Sequence, residues 1–66
     1  MRANPAKLEI ALAKSGRMIQ NITQETGISK STFSRMMRGD SVRPDMLGRI
    51  AKALGVDVET IMASGP

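Results

Sequence analysis

The sequence predicts an all-α fold, a compact bundle of five short helices in one domain of 66 residues. Apolar residues recur three and four positions apart in five successive segments, which is the spacing that buries one face of a helix. Most segments begin with Asn, Ser, Asp or Pro, and most are followed by glycine, as helix ends often are. No segment alternates between apolar and polar residues as a half-buried strand does, and no low-complexity linker divides the chain.

The first helix is predicted to begin after Asn4 and to end at Gly16. An asparagine side chain accepts a free amide of the first turn, and Pro5 is already fixed near the helical φ. The helical spacing then includes Leu8, Ala11, Leu12 and Ser15. Glycine readily adopts the left-handed conformation that terminates a helix, so Gly16 is a suitable end.

The second and third helices are predicted to be joined by a short turn at Gly27. The second holds Ile19, Ile22, Thr23 and Thr26, and its start at Met18 lacks a capping side chain. Ser29 is expected to cap the third helix, which ends at Gly39 and buries Thr32, Phe33, Met36 and Met37. Two short helices joined by a turn with glycine predict a helix-turn-helix unit over about 18–38.

The fourth helix is predicted to open at Pro44 or Asp45, and the fifth to be capped by Asp57. The buried stripe of the fourth consists of Leu47, Ile50, Ala51 and Leu54, and that of the fifth of Val58, Ile61 and Met62. Gly55 closes the fourth helix and Gly65 follows the fifth. Because Phe33 is the one aromatic residue, the five internal methionines are expected to fill the core.

The residue inventory lacks the commonest catalytic and metal-binding side chains. There is no His, the most frequent general base and metal ligand, and no Cys for a disulfide or a thiolate site. The six acids are scattered, and no helical i,i+4 spacing brings two of them together. We therefore predict a protein that is not an enzyme, with no catalytic residues, no metal and no cofactor.

The net charge of +4 and the isoelectric point near 10.4 favour an anionic partner. Nucleic acid and an anionic membrane surface both satisfy this charge, and a basic surface that serves only solubility is the alternative. No apolar run approaches the roughly 20 residues that span a bilayer, and no signal peptide is recognisable. A soluble, cytoplasmic protein is predicted.

The stretch GISKSTFSRMMRGD at 27–40 is unusual because its polar side chains are basic or hydroxyl, with no acid before Asp40. On a helix that starts at Ser29, the side opposite Phe33 carries Lys30, Ser31, Ser34, Arg35 and Arg38. The free amides and dipole at such a helix start favour a phosphate. The stretch predicts a helix whose polar face lies in the major groove of double-stranded DNA.

From about Leu8 to Met62 the sequence resembles the lambda-repressor-like helix-turn-helix proteins, in particular transcriptional regulators of the XRE/Cro–C1 type. The resemblance is carried by Gly16, GIS at 27–29, FSRMMRG at 33–39, RP at 43–44 and IAKALGVDVETIM at 50–62. It implies a five-helix DNA-binding domain over 1–66 whose third helix, about 29–38, reads bases.

The resemblance also implies which residues contact DNA. The base-reading positions fall on Lys30, Ser31 and Arg35, with Ser34 beside them. The phosphate-binding positions of the family fall on Arg38 and Arg43. Ser29 is predicted to bind a phosphate for a different reason, because it caps the helix start where free amides and the dipole favour one. Arginine and lysine pair with guanine O6 and N7, whereas serine is permissive.

Three features depart from the family pattern. The second helix begins with Met18 and Ile19 in place of a capping Ser or Thr and a phosphate-binding Gln, so that this phosphate contact is lost unless Gln20 or Asn21 takes it over. Thr23 replaces a small Ala and needs a hydrogen-bond partner if it is buried. Leu12 and Met37 replace a buried Arg–Glu pair together, a change that is often neutral or stabilising by about 1–4 kcal/mol.

The predicted function is sequence-specific transcriptional regulation, as a repressor that binds a two-fold DNA site as a homodimer. The resemblance implies a pairing surface around 55–58 and the last helix, because no separate dimerisation domain fits in the residues that follow; the alternative is that these apolar residues belong to the core. The alternative is a protein-binding module such as an antitoxin of a toxin–antitoxin pair. Single-stranded RNA and a membrane surface are disfavoured, since the chain lacks stacking aromatics and a wide basic amphipathic face.

Overall fold

The computed structural model describes residues 1–63, which fold into five helices, and confirms the predicted all-α class. The helices are α1 (Pro5–Ser15), α2 (Ile19–Thr26), α3 (Lys30–Met37), α4 (Pro44–Leu54) and α5 (Val58–Ile61). Extended pairing within residues 1–63 is limited to two isolated antiparallel bridges. In the same range no helix is long and apolar enough to cross a bilayer. Gly65, which was expected after the last helix, lies outside the described residues.

The helix starts agree with the capping residues in two of the three predicted cases. The side-chain oxygen of Asn4 accepts a hydrogen bond from the amide of Lys7 at 3.2 Å, and Ser29 Oγ accepts one from the amide of Thr32 at 3.1 Å. Asp57 occupies the N-cap position of α5, but the prediction that its side chain caps the helix is wrong. The backbone carbonyl of Asp57 closes this four-residue helix instead, by accepting from the amide of Thr60 at 2.9 Å.

The core is one cluster of buried side chains to which all five helices contribute. Phe33 is 1% exposed, and every helix contributes at least one buried apolar side chain. The largest fully buried side chains are Phe33, Leu8, Ile22, Met36, Leu47, Ile50 and Ile61. Burial of each such side chain is worth about 1.5–3 kcal/mol, so this small set accounts for much of the driving force in so short a chain.

The methionines do not all fill the core. Met36 is fully buried, and Met37, Met46 and Met62 are half-buried against the core. Met18 is 66% exposed, so the prediction that all internal methionines are core residues is wrong at this position. The reason is local, because Met18 precedes α2 in an extended conformation and lies outside its buried stripe. Ile19, which was placed on that stripe, is also exposed.

Two departures from the family pattern are accommodated in the core. Thr23 is buried, and its hydroxyl donates a hydrogen bond of 3.0 Å to the carbonyl of Gln20, which supplies the partner that its burial requires. Leu12 and Met37 are both half-buried and pack against the same buried core, on helices α1 and α3 that contact each other. The two apolar side chains therefore occupy this part of the domain without any buried charge.

The first four residues form an extended segment that the sequence did not predict. The amide of Val42 donates to the carbonyl of Met1 at 2.7 Å, and the amide of Ala63 donates to the carbonyl of Arg2 at 2.9 Å. Asn4 donates its amide to the carbonyl of Ile61 at 2.8 Å. The segment therefore joins the loop between α3 and α4 to the end of α5.

Candidate nucleic-acid interface

The turn between α2 and α3 sets the orientation of α3 relative to α2. Gly27 has a φ of 72°, a left-handed conformation that glycine adopts without strain, and its amide donates to the carbonyl of Thr23 at 2.9 Å. The hydroxyl of Thr26 donates to the carbonyl of Ile22 at 2.7 Å and accepts the amide of Ile28 at 3.3 Å. Ile28 is buried immediately after the turn. These contacts hold α2 and α3 as the helix-turn-helix unit that the sequence predicts.

Helix α3 separates its residues into a buried face and a polar face. Phe33 and Met36 are buried, whereas the four predicted base-reading residues are exposed: Lys30, Ser31, Ser34 and Arg35. Positions i, i+1, i+4 and i+5 of a helix form one continuous stripe, so these four side chains share one side of α3. A stripe of two cations and two hydroxyls offers hydrogen-bond donors to the acceptor-rich edges of base pairs.

The start of α3 leaves backbone donors free. Ser29 Oγ accepts the amide of Thr32 and donates to the hydroxyl of Thr32 at 3.0 Å, so its side chain is occupied by the cap. The amides of Lys30 and Ser31 belong to the first turn and have no acceptor within the helix. At Ser29, a phosphate would therefore be met by the neighbouring amides and by the helix dipole rather than by the serine hydroxyl.

The loop after α3 carries two exposed arginines, each beside an acid that sequence reasoning did not consider. Arg38 Nη2 lies 3.4 Å from Asp40 Oδ2, and Arg43 Nε lies 3.6 Å from Asp45 Oδ1. All four side chains are at least 45% exposed. Exposed ion pairs contribute about 0–1 kcal/mol, so a phosphate can displace either carboxylate at small cost.

An open groove lies between α3 and this loop. It is lined by Thr32 and Arg35 from α3 and, from the loop and the first turns of α4, by Ser41, Val42, Arg43, Pro44 and Met46. The predicted base-reading Arg35 and the predicted phosphate-binding Arg43 thus line the same groove. These two residues are eight positions apart in sequence and come together through the loop.

The start of α2 carries the remaining predicted phosphate-binding residues. Gln20 and Asn21 are both exposed in the first turn of α2. No side chain caps this helix, so the amides of Ile19 and Gln20 are free of side-chain partners. The exposed Met18 and Ile19 make this edge partly apolar.

Residues 1–63 hold no cluster of three or more His, Cys, Asp or Glu side chains in a position to bind a metal ion. The exposed side of α3 instead offers hydrogen-bond donors and positive charge.

One contact between distant elements could not be predicted from the sequence. The side chain of Arg17, in the α1–α2 turn, donates a hydrogen bond to the backbone of α4.

Comparison with known proteins agrees with this geometry. The family model described as the Cro/C1-type HTH DNA-binding domain matches residues 7–64, which is most of the chain. No curated protein and no solved structure gives a significant match. The family match covers the whole helix-turn-helix unit, the α3–α4 loop and α5.

Proposed function

This chain belongs to the Cro/C1-type helix-turn-helix DNA-binding domain family, and from that premise we propose that it represses transcription by binding a specific DNA site as a homodimer. The family is one of DNA-binding regulators and not of enzymes. The proposal that the protein recognises a specific DNA sequence is supported by the exposed stripe of Lys30, Ser31, Ser34 and Arg35 on α3. We further propose that the protein acts in the cytoplasm.

In this proposal α3 enters the major groove and reads base edges. Arg35 donates two hydrogen bonds to O6 and N7 of a guanine, and Lys30 contacts a second base pair with its ammonium group. Ser31 and Ser34 donate or accept, and so tolerate several bases. The guanidinium fork suits guanine better than the point charge of an ammonium, so Arg35 carries most of the discrimination.

The phosphates on either side of the groove are held by other parts of the domain. In the loop after α3, Arg38 and Arg43 bind phosphates in place of the carboxylates of Asp40 and Asp45. The free amides beside Ser29 bind a phosphate at the start of α3, and Gln20 or Asn21 binds another at the start of α2. Such contacts fix the orientation of the domain on DNA and carry little sequence information.

A homodimer gives enough contacts for a specific site and matches the two-fold symmetry of many operators. A groove between α1 and α5 supports this proposal, and it is lined by Lys7, Ile10, Ala11, Lys14, Val56, Glu59 and Thr60. Ile10, which lines this groove, is 56% exposed and so offers apolar surface to a second copy. The lysines lie on α1 and Glu59 on α5, so a two-fold arrangement that placed α1 of each copy against α5 of the other would bring opposite charges together.

Selection of bound duplexes from a random pool tests this function directly. Enrichment of a motif with two related half-sites, one helical turn apart, is the expected result. A single half-site would support sequence readout by a monomer and contradict the dimer. No enrichment of any duplex would contradict sequence-specific regulation and favour the protein-binding alternative, such as an antitoxin.

A further inference from the structure

The N-terminal segment pairs with the loop that carries Arg43. Arg2 and Ser41 form an isolated antiparallel bridge, and the amide of Val42 donates to the carbonyl of Met1 at 2.7 Å. The backbone of Arg2 is also held from the other side, because its carbonyl accepts the amide of Ala63 at 2.9 Å. Arg2 thus has a fixed backbone position next to the α3–α4 loop.

Burial shows which residues of this pairing share a face. Ala3 is 1% exposed and Val42 is 8% exposed, whereas Arg2 and Ser41 are exposed. Successive side chains of an extended segment point to opposite sides, and directly opposed residues lie on the same side with Cβ atoms about 4.5–5.5 Å apart. Arg2 and Ser41 therefore share the outer face, and Ala3 and Val42, one position on from each of them, lie on the inner face.

Ser41 lines the groove that also contains Arg35 and Arg43. Arg2 lies directly opposite Ser41 in the bridge, so its exposed side chain starts from a segment that borders this groove. Within residues 1–63 Arg2 takes part in no ion pair, whereas Arg38 and Arg43 each have a carboxylate beside them. A phosphate that approached Arg2 would therefore have no carboxylate to displace.

We propose that Arg2 is a further DNA-binding residue, which binds a phosphate beside the one held by Arg43. This inference rests on the proposed DNA-binding function and adds the N-terminal segment to its surface. The backbone hydrogen bonds on both sides of Arg2 reduce the flexibility that has to be lost on binding. The contact is to the DNA backbone, so it acts on every sequence and requires no knowledge of the operator.

The test compares variants of the full chain in binding to a short duplex of mixed sequence over a range of salt concentrations. One phosphate contact contributes about 0.9 to the slope of log K against log salt, so Arg2→Ala should lower that slope by about this amount. Arg2→Lys should keep most of the slope, and Arg2→Glu should lower it further than alanine does. The backbone bonds of residue 2 do not depend on its side chain, and thermal unfolding of each variant checks that the fold is retained.

Arg49→Ala is the matched control, because Arg49 is also an exposed arginine. It lines a groove between α2 and α4 that contains none of the proposed DNA-binding residues. It should keep the slope of the unmodified chain. If Arg2→Ala also keeps that slope while Arg43→Ala lowers it, Arg2 is a solvated charge and this inference is wrong, although the proposed function stands. If the unmodified chain binds no duplex at low salt, the proposed function itself is wrong.

Discussion

Arg17 Nη1 donates a hydrogen bond of 2.9 Å to the backbone carbonyl of Ala53, across 36 positions of sequence. Ala53 lies in the last turn of α4, where the carbonyl groups receive no hydrogen bond from an amide of the same helix. A positive charge at this end also complements the helix dipole. The same guanidinium forms an ion pair with Glu25 of α2. One side chain thus connects the α1–α2 turn with the ends of two helices.

Arg17→Ala should therefore destabilise the fold by about 1–3 kcal/mol, since a charged donor to a helix end is lost. Chemical denaturation measures the change in the free energy of unfolding. Glu25→Gln should cost less, about 0–1 kcal/mol, because its carboxylate is 54% exposed. Equal costs for the two variants would mean that the ion pair, and not the bond to Ala53, stabilises this region.

Met37→Glu should destabilise the fold by about 1–3 kcal/mol, because the new carboxylate would be partly buried without a partner. Met37 is half-buried rather than fully buried, so the cost stays below that of a completely enclosed charge. Denaturation of the Leu12→Arg/Met37→Glu double variant completes the test. It should be more stable than the sum of the single changes predicts; strict additivity would show that positions 12 and 37 do not meet.

Arg35→Ala should remove the preference for one base pair in each half-site and leave most of the non-specific affinity. A bidentate contact with guanine provides roughly 1–3 kcal/mol of discrimination. Binding curves on a panel of single-base operator variants measure this preference, with Lys30→Ala expected to show a smaller effect of the same kind. Uniform weakening on every sequence would instead make Arg35 a phosphate contact, and base reading would fall to Lys30, Ser31 and Ser34.

Arg43→Ala should weaken binding to specific and random duplexes alike and reduce the salt slope by about one. Asp45→Asn should have the opposite effect on affinity, because it removes the carboxylate 3.6 Å from Arg43 Nε and its repulsion of phosphates. Titrations of both variants with one duplex at several salt concentrations measure the affinity and the salt slope. Unchanged binding of the Arg43 variant at low salt would show that the α3–α4 loop does not follow the DNA backbone.

Ile10→Ser should weaken the homodimer without unfolding the chain, because the side chain is more than half exposed beside the α1–α5 groove. Sedimentation over a range of protein concentrations measures the dimer directly. Met18→Ser is the control, since it removes a comparably exposed apolar side chain at the start of α2. If Met18→Ser alone weakens the dimer, the pairing surface lies at the start of α2 instead.

The sequence predicted the features that depend on local chemistry. The Asn4 and Ser29 caps and the buried stripe of α4 are visible in short windows because capping and helical spacing act over a few residues. The exposed stripe of α3 followed from the same spacing, with Phe33 fixing which side is buried. That its side chains contact bases remains a prediction, because contact with DNA depends on a partner molecule.

The features that the sequence did not predict depend on contacts between distant residues. The bond from Arg17 to Ala53 and the pairing of Arg2 with Ser41 join positions more than 35 apart, and no local pattern marks either partner. The exposure of Met18 was missed for a different, local reason. A methionine in a chain with one aromatic residue suggests core packing, but its place before α2 directs it to solvent.

Graded burial of the methionines also determines how oxidants would attack this protein. Conversion to the sulfoxide makes the side chain polar and proceeds fastest where the sulfur is accessible. Met18 is therefore expected to react first, and Met36, which is fully buried, only when the fold opens. Because Met18 precedes Gln20 and Asn21, mild oxidation would alter the edge proposed to hold a phosphate while the core stays intact. Loss of DNA binding and loss of the fold should then follow separate time courses in peroxide.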